Sequence, residues 1–270
     1  SILGFSLTHL SGTGIPDLGD FLFIPGTGEM KLEPGSRENP DEGYRSRYTH
    51  DEEQATPNYY AVRLQDYGVK AEMTAGVRSG MFRFTYPESE KSFIMIDMNH
   101  TLWQSCEWAN LRMENDSTIT GYKLVKGWGP ERHVYFAAVF SRKLTGLRFM
   151  QDKKPVIYNT SRFRSEREAW GKNLMACLSF ATGEGEEVIV KTAISSVSTS
   201  GAKMNMQELA IMKKFKLPIK ICLMNNGFLG MVHQWQKMFY DENYSETILD
   251  SAPDWAKLAE AYGLKYMRVD

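Results

Sequence analysis

The hydrophobic period of this 270-residue chain changes near residue 200, and that change constrains the fold more than any other feature of the sequence. Before it the period is two. Met81-Phe-Arg-Phe-Thr-Tyr86 puts Phe82, Phe84 and Tyr86 on one face and Arg83 and Thr85 on the other, as a half-buried strand requires. His133 to Ser141 and Asn173 to Thr182 behave alike, the second placing Leu174, Ala176, Leu178 and Phe180 together. Tyr59 to Met73 reads as two strands joined at Asp66-Tyr-Gly68, where glycine supplies the positive φ of a tight hairpin. Further strands are expected at Ser92 to Met98, Ser117 to Val125, Pro155 to Asn159 and Glu187 to Val197. Many short strands, polar turns and no convincing helix point to an antiparallel β-sandwich.

After the change the pattern is helical and then apolar. Met206, Leu209, Ala210, Met212 and Phe215 fall three and four apart between Met204 and Leu217, and Leu217-Pro218 ends that helix. Ile219 to Met224 is a nearly continuous apolar run, the mark of a strand covered on both faces. Met231, Val232, Trp235, Met238 and Phe239 trace one face of a second helix, a third opens at Ser251-Ala-Pro-Asp254, and Leu264 to Val269 is a last strand. The expected architecture is mainly β: a sandwich over residues 1–200, then a short partial α/β segment over residues 201–270, with the seam at Ser195 to Leu209.

Charge narrows the partners. Lys+Arg 32 against Asp+Glu 33 gives a formal net charge of −1, so no field favours nucleic acid or an anionic membrane, and a neutral small molecule or sugar fits at least as well. No apolar run is long enough to span a bilayer. Ser1-Ile-Leu-Gly-Phe5 has no basic region of the signal-peptide kind. Cys106, Cys177 and Cys222 are far apart and odd in number, which fits buried thiols better than disulfides or zinc. His9, His50, His100, His133 and His233 lack metal-ligand spacing. Gly12, Gly14, Gly19, Gly26 and Gly28 have neither P-loop nor dinucleotide spacing, so a loop-rich opening section is expected. Asp17 and Asp20 are read as turn formers rather than as an acid/base pair. Trp103, Trp108, Trp128 and Trp170 can supply sugar-stacking platforms, although tryptophans are more commonly core.

Gly4-Phe-Ser-Leu-Thr-His-Leu-Ser-Gly-Thr-Gly14, Asp17-Leu-Gly-Asp20, Gly43-Tyr-Arg-Ser-Arg47, Asp66-Tyr-Gly68 and Val134 to Ser141 resemble the N-terminal β-sandwich of glycoside hydrolase family 92 over residues 4–203. Leu7 stands where that family often has histidine, and His9 is kept. The resemblance implies inverting, Ca²⁺-dependent exo-α-mannosidases, largely exported, which trim mannose-rich glycans. It also implies that the catalytic carboxylates and most Ca²⁺ ligands belong to a C-terminal α/α barrel, the expected intramolecular partner of the sandwich, for which this chain has no room. The sandwich would then supply part of the wall of a mannose pocket. The expected substrate-binding residues are His9, Ser11, Gly12 and Thr13.

Met204-Asn-Met-Gln-Glu-Leu-Ala210, Leu223-Met-Asn-Asn-Gly227 and Gly230 to Tyr240 resemble instead the thiamine-diphosphate domain of acetolactate synthase. In that family a Gly-Asp-Gly triplet and the second Asn of an Asn-Asn pair hold Mg²⁺ against the diphosphate. The resemblance makes Asn226 a side-chain metal ligand and Phe228 a backbone one, puts Met231 on the cofactor, and puts Trp235 in the substrate channel. Where the triplet's Asp belongs, however, the chain reads Thr199-Ser-Gly-Ala202. Neither Ca²⁺ nor thiamine diphosphate with Mg²⁺ is therefore expected to bind tightly, and any Mg²⁺ site at Asn226 is vestigial. The expectation is a fused pair of fragments without a competent active site. The alternatives are a thiamine-diphosphate synthase fragment and a non-catalytic carbohydrate-binding module. Export follows from the sandwich and a cytoplasmic place from the tail, with the larger share of residues favouring export.

Overall fold

The structure, a computed structural model, describes residues 1–9, 16–57, 59–76, 78–158, 166–203 and 230–240, with 244, 256–257 and 266–267. The chain divides into two compact units, the first holding Ser1–Leu10 and Pro16–Asn205 and the second the remainder.

The first unit is built from strands. In chain order they are β1 (Phe5–Ser6), β2 (Leu22–Thr27), β3 (Glu53–Thr56), β4 (Tyr59–Leu64) and β5 (Val69–Ala75). Then come β6 (Ser79–Tyr86), β7 (Ser89–Asp97), β8 (Ser105–Asn115), β9 (Thr118–Lys126) and β10 (Arg132–Phe140). The last are β11 (Leu147–Gln151), β12 (Lys154–Pro155), β13 (Glu168–Gly171), β14 (Leu174–Thr182) and β15 (Glu186–Ser195). They form a six-stranded sheet, β1-β2-β7-β14-β11-β12, and a nine-stranded sheet, β13-β8-β9-β10-β15-β6-β5-β4-β3. The pairings within both sheets are antiparallel, so the chain is a mainly-β sandwich.

Aromatic side chains fill the space between the sheets. Phe82, Phe84 and Tyr86 of β6 are buried while Arg83 is exposed, as the alternation predicts. Phe82 stacks on Phe84 at 5.6 Å and meets Phe23 of β2 at 5.2 Å. Burial of these rings together with the aliphatic side chains of the same cluster supplies apolar area that offsets chain entropy. Leu22, Ile24, Phe93, Met95, Met175 and Cys177 point the other way and form a second cluster beneath Leu3, Met30, Leu32 and Tyr44. The six-stranded sheet is thus covered on both faces, which is why Phe93 to Ile96 reads as a continuous apolar run.

Several expectations need correction. The opening section contains β2 despite Pro25 and Gly26. Pro25 is tolerated because β1 pairs only with Leu22 and Phe23 and leaves Pro25 without a neighbour on that side. Gly26 is needed because any Cβ there would run into the Phe93 ring. β8, eleven residues long, was hidden by register shifts at Cys106/Trp108 and Met113/Asn115, which break the period of two. The strand expected at Pro155 to Asn159 ends at Pro155.

After β15 the Ser195 hydroxyl accepts from the amides of Val197 and Ser198 and turns the chain into α1 (Thr199–Lys203). α1 packs on β10 and β15, with Ala202 fully buried. In the second unit α2 (Gly230–Phe239) matches the helix expected there. Two residues of its expected apolar face, Met238 and Phe239, are exposed. His233 of α2 stacks on Tyr244 at 3.9 Å. The helix expected at Met204 to Leu217 and the strand at Ile219 to Met224 lie outside the described residues. Of the third helix and the last strand only Ala256–Lys257 and Tyr266–Met267 are described, the first pair helical and the second not a strand.

Candidate functional site

Between β1 and β2 the chain makes a short antiparallel stub. The Leu7 amide donates to the Asp20 carbonyl at 2.9 Å, the Gly19 amide donates to the Thr8 carbonyl at 3.1 Å, and His9 bridges Leu18. Ser11, Gly12 and Thr13, which follow in sequence, lie outside the described residues. His9 stands exposed at the end of the stub.

The base of the stub is ionic and buried. Arg132 of β10 donates to both oxygens of Asp20, at 2.7 and 3.1 Å, and the Thr8 hydroxyl donates to Oδ2 at 2.7 Å. Lys123 of β9 lies 3.3 Å from Asp20, and neither side chain is exposed. Lys123 also donates to the His100 carbonyl at 2.6 Å. Burial pushes the Asp20 carboxyl up, but the Arg132 hydrogen bond and the Lys123 charge outweigh it and hold it below its ordinary value. Burial lowers the Lys123 ammonium, with Asp20 opposing that shift. Arg132 Nη2 donates to the Gln104 carbonyl at 2.7 Å, and the Gln104 amide donates to Asp17. Asp17 also accepts from the Leu18 amide at 2.7 Å, so the turn-former reading holds for Asp17. It fails for Asp20, which is the anchor of the cluster. The signal was present at Lys123, which shares its strand face with Ile119, Gly121 and Val125 and so needed a buried partner.

Backbone strain gathers at the same place. Leu18, Phe21 and Trp103 have positive φ of 67°, 57° and 72°. Large side chains rarely adopt that region, and its cost is met only where surrounding structure enforces it. Asp152 and Lys153, also with positive φ, form the two-residue turn of the β11–β12 hairpin, where that geometry is ordinary.

The four tryptophans of the sandwich are on the surface rather than in the core, with Trp103 72%, Trp128 55%, Trp170 53% and Trp108 46% exposed. A cavity of about 860 Å³ opens beside His100, Gln104, Tyr44, Arg45 and Asp97, and one of about 440 Å³ beside Leu7, Tyr59 and Arg78. Among the described residues no group of three or more His, Cys, Asp or Glu is placed to hold a metal ion. No described helix is long and apolar enough to cross a membrane. Asn226 and Phe228 lie outside the described residues, and Met231 and Trp235 fall on α2.

Comparison with known proteins matches the two ends of the chain to two different families. Residues 1–195 match the glycosyl hydrolase family 92 N-terminal domain. Residues 175–270 match the thiamine pyrophosphate enzyme C-terminal TPP binding domain, so the second match begins inside the strands of the sandwich. A family GH92 alpha-mannosidase from Bacteroides thetaiotaomicron superposes with a TM-score of 0.74 at 84% identity, covering 77% of this chain and 28% of that one. That mannosidase has also been solved in complex with mannoimidazole. A family GH92 inverting mannosidase from the same organism shares the fold, with a TM-score of 0.61 at 22% identity over 76% of this chain and 26% of that one. The acetolactate synthase large subunit of Lactococcus lactis is 44% identical over 80 residues, 30% of this chain and 14% of the synthase. The isozyme 2 large subunit of Escherichia coli is 52% identical over 61 residues, 23% of this chain and 11% of that subunit. The chain therefore spans a minor part of each.

Proposed function

The chain belongs to the glycosyl hydrolase family 92 N-terminal domain family through residues 1–195, and we propose that its sandwich is the sugar-facing, non-catalytic half of an α-mannoside site. The observation that carries this reading is the stub of Leu7–His9 and Leu18–Asp20, fixed at its base by three buried or half-buried charges. Desolvating such a cluster is costly, and a loop that merely closed a turn would gain nothing from it. Holding His9 at the end of the stub in one geometry does require such support. His9, with Ser11, Gly12 and Thr13 after it in sequence, is the proposed contact to a mannose-containing glycan.

Hydrolysis with inversion needs two carboxyls roughly 6.5–9.5 Å apart across the glycosidic bond, one to protonate the leaving oxygen and one to activate water. Here Asp20 is buried and fully paired, and Asp17 is committed to Leu18 and Gln104. The sandwich alone therefore binds sugar weakly, without Ca²⁺, and leaves cleavage to an α/α barrel of the kind the family carries. We place the join of the two ancestries within Ser195 to Leu209, between a sandwich over 1–200 and an α/β segment over 201–270. Export is the compartment this reading favours.

A synthase reading is favoured by the second family match. Thiamine diphosphate with Mg²⁺ needs hard oxygen ligands beside the phosphates. Where the synthases place their acidic triplet, this chain has Thr199 to Ala202 folded into α1, with Ala202 buried and no carboxylate. Those residues do not fit the group, and Asn226 with Phe228, Met231 and Trp235 makes at most a vestigial site.

Incubation of the whole chain with α-1,2-mannobiose is expected to release no mannose, while calorimetry shows weak binding that His9→Ala abolishes. Steady release would refute the non-catalytic reading, and unchanged binding by His9→Ala would remove the loop from it. Calorimetry with thiamine diphosphate and Mg²⁺ is expected to show no binding; a tight complex would establish the synthase reading instead.

A further inference from the structure

We propose that His100 is a positioning residue for His9, acting through the backbone of Leu18 and Gly19. The inference rests on the reading of His9 as a mannose contact, and it adds to the stub a support separate from the ionic base. His9 is held in the stub by its antiparallel bridge to Leu18, so whatever fixes Leu18 and Gly19 also fixes His9. The segment after β7 does so at two points. The Leu102 amide donates to the Leu18 carbonyl at 2.8 Å, and the His100 ring donates through Nδ1 to the Gly19 carbonyl at 2.7 Å. The contact is close as well as polar. Gly19 has φ of 80°, and a Cβ there would lie 2.8 Å from Leu102 Cγ and 3.3 Å from His100 Cε1.

The stub does not serve these two carbonyls itself. Its own bonds run from the Leu7 amide to the Asp20 carbonyl and from the Gly19 amide to the Thr8 carbonyl. A carbonyl can only accept, so in the neutral His100 ring the proton stands on Nδ1 and Nε2 is left as an acceptor. That is the reverse of the tautomer free histidine favours. Nε2 has no hydrogen-bond partner among the described residues, and the half-buried ring borders the cavity of about 860 Å³. The fixed polar contact of the ring is therefore the one it makes with the stub. The backbone of the same residue closes a circuit. The His100 carbonyl accepts from Lys123 at 2.6 Å, and Lys123 lies 3.3 Å from Asp20, the residue after Gly19. Leu18 to Asp20 is thus gripped by His100 through its ring and, by way of Lys123, through its carbonyl. Locking a rotamer and a tautomer in this way is how a supporting residue holds a binding group in place.

The test removes the ring donor and leaves the backbone carbonyl that Lys123 uses. His100→Leu deletes the Nδ1–H group, whereas His100→Asn offers a side-chain amide N–H near the same position. Amide hydrogen exchange of the whole chain is read at Leu7 and Gly19, with the amides of β6 and β15 as reference. His100→Leu is expected to speed exchange at the two stub amides about tenfold, the size of one hydrogen bond, without changing β6 and β15. His100→Asn is expected to restore slow exchange. Nitrogen NMR of the wild type is expected to show the proton of the neutral ring on Nδ1. In calorimetry with methyl α-mannoside, His100→Leu is expected to bind about tenfold more weakly and His100→Asn to recover the affinity. Unchanged stub exchange in His100→Leu, or a proton on Nε2 in the wild type, overturns the proposal. So does a rise in exchange shared equally by β6 and β15, because His100 would then serve general stability. Faster stub exchange with undiminished mannoside binding overturns the positioning role. A wild type that binds no mannoside yet shows the expected exchange pattern overturns the mannose reading and leaves the His100 clamp standing.

Discussion

Asp20 and Lys123 face each other at 3.3 Å inside the sandwich, and no part of either side chain reaches solvent. Their dependence on one another is unequal. Without Lys123, Asp20 still has both Arg132 bonds and the Thr8 hydroxyl. Without a charged Asp20, Lys123 keeps the His100 carbonyl and the face of the Phe21 ring, and no counter-charge within 4 Å among the described residues. Asp20→Asn is therefore expected to destabilise by about 3–5 kcal/mol, as removal of one partner from a buried pair does, and Lys123→Met by about 1 kcal/mol. Urea unfolding of the two variants measures the difference. Equal losses would mean that Lys123, and not Arg132, is the main counter-ion.

Gly121 is required by its neighbour across the strand pair. A Cβ there would run into the Phe136 ring, which also packs on Phe21 at 4.5 Å. Gly121→Ala is expected to cost about 1–3 kcal/mol through overpacking. Combining it with Phe136→Leu should recover about 1 kcal/mol relative to the sum of the single changes. Strict additivity in that cycle would show that the ring contact is not the cause.

Cys177 lies in β14 opposite Met95, 4% exposed, and burial pushes its thiol up to about 12. Only about one molecule in ten thousand then carries the reactive thiolate at pH 8. Native protein is expected to resist iodoacetamide at Cys177, with labelling read by peptide mass spectrometry appearing only as urea unfolds the chain. Comparable labelling of folded and unfolded protein would contradict the buried placement.

The sandwich was legible where alternation was unbroken. β6, β10 and β14 fall within a residue or two of their expected bounds because one face is apolar and the other is not. The hairpin at Asp66 to Gly68 was legible because Gly68 supplies the positive φ, here 65°. β8 was not, since two bulges shift its faces, and neither was β2, whose Pro25 and Gly26 are explained only by a short neighbour and a facing ring. Of the expected mannose contacts only His9 lies among the described residues, exposed at the end of its stub. Its support was hidden because Asp20, Lys123 and Arg132 are 103 and 9 residues apart in sequence and meet only across the fold. The exposure of Trp103 could not be read from composition, which puts tryptophan inside.

Glu72 sets the acid limit of the nine-stranded sheet. Its side chain is 7% exposed, and Arg83 grips it through Nε at 2.9 Å and Nη2 at 2.7 Å, with Tyr59 donating at 2.7 Å. The Arg83 hydrogen bonds lead in holding the carboxyl down to about 2, against an ordinary value of 4.5. Between those values the unfolded chain binds the proton and the folded chain does not. The stabilisation from Glu72 is therefore complete above about pH 4.5 and is lost as the pH falls toward about 2, amounting to about 2–3 kcal/mol. Asp20 is held low as well and acts in the same direction, so the informative quantity is the difference between wild type and Glu72→Gln. Urea midpoints measured from pH 7 to pH 2 are expected to converge as the acid is titrated, because the variant has no proton to take up at this position. Parallel curves across that range would show that Glu72 keeps an ordinary carboxyl and that its bonds to Arg83 contribute nothing to the acid stability of the sheet.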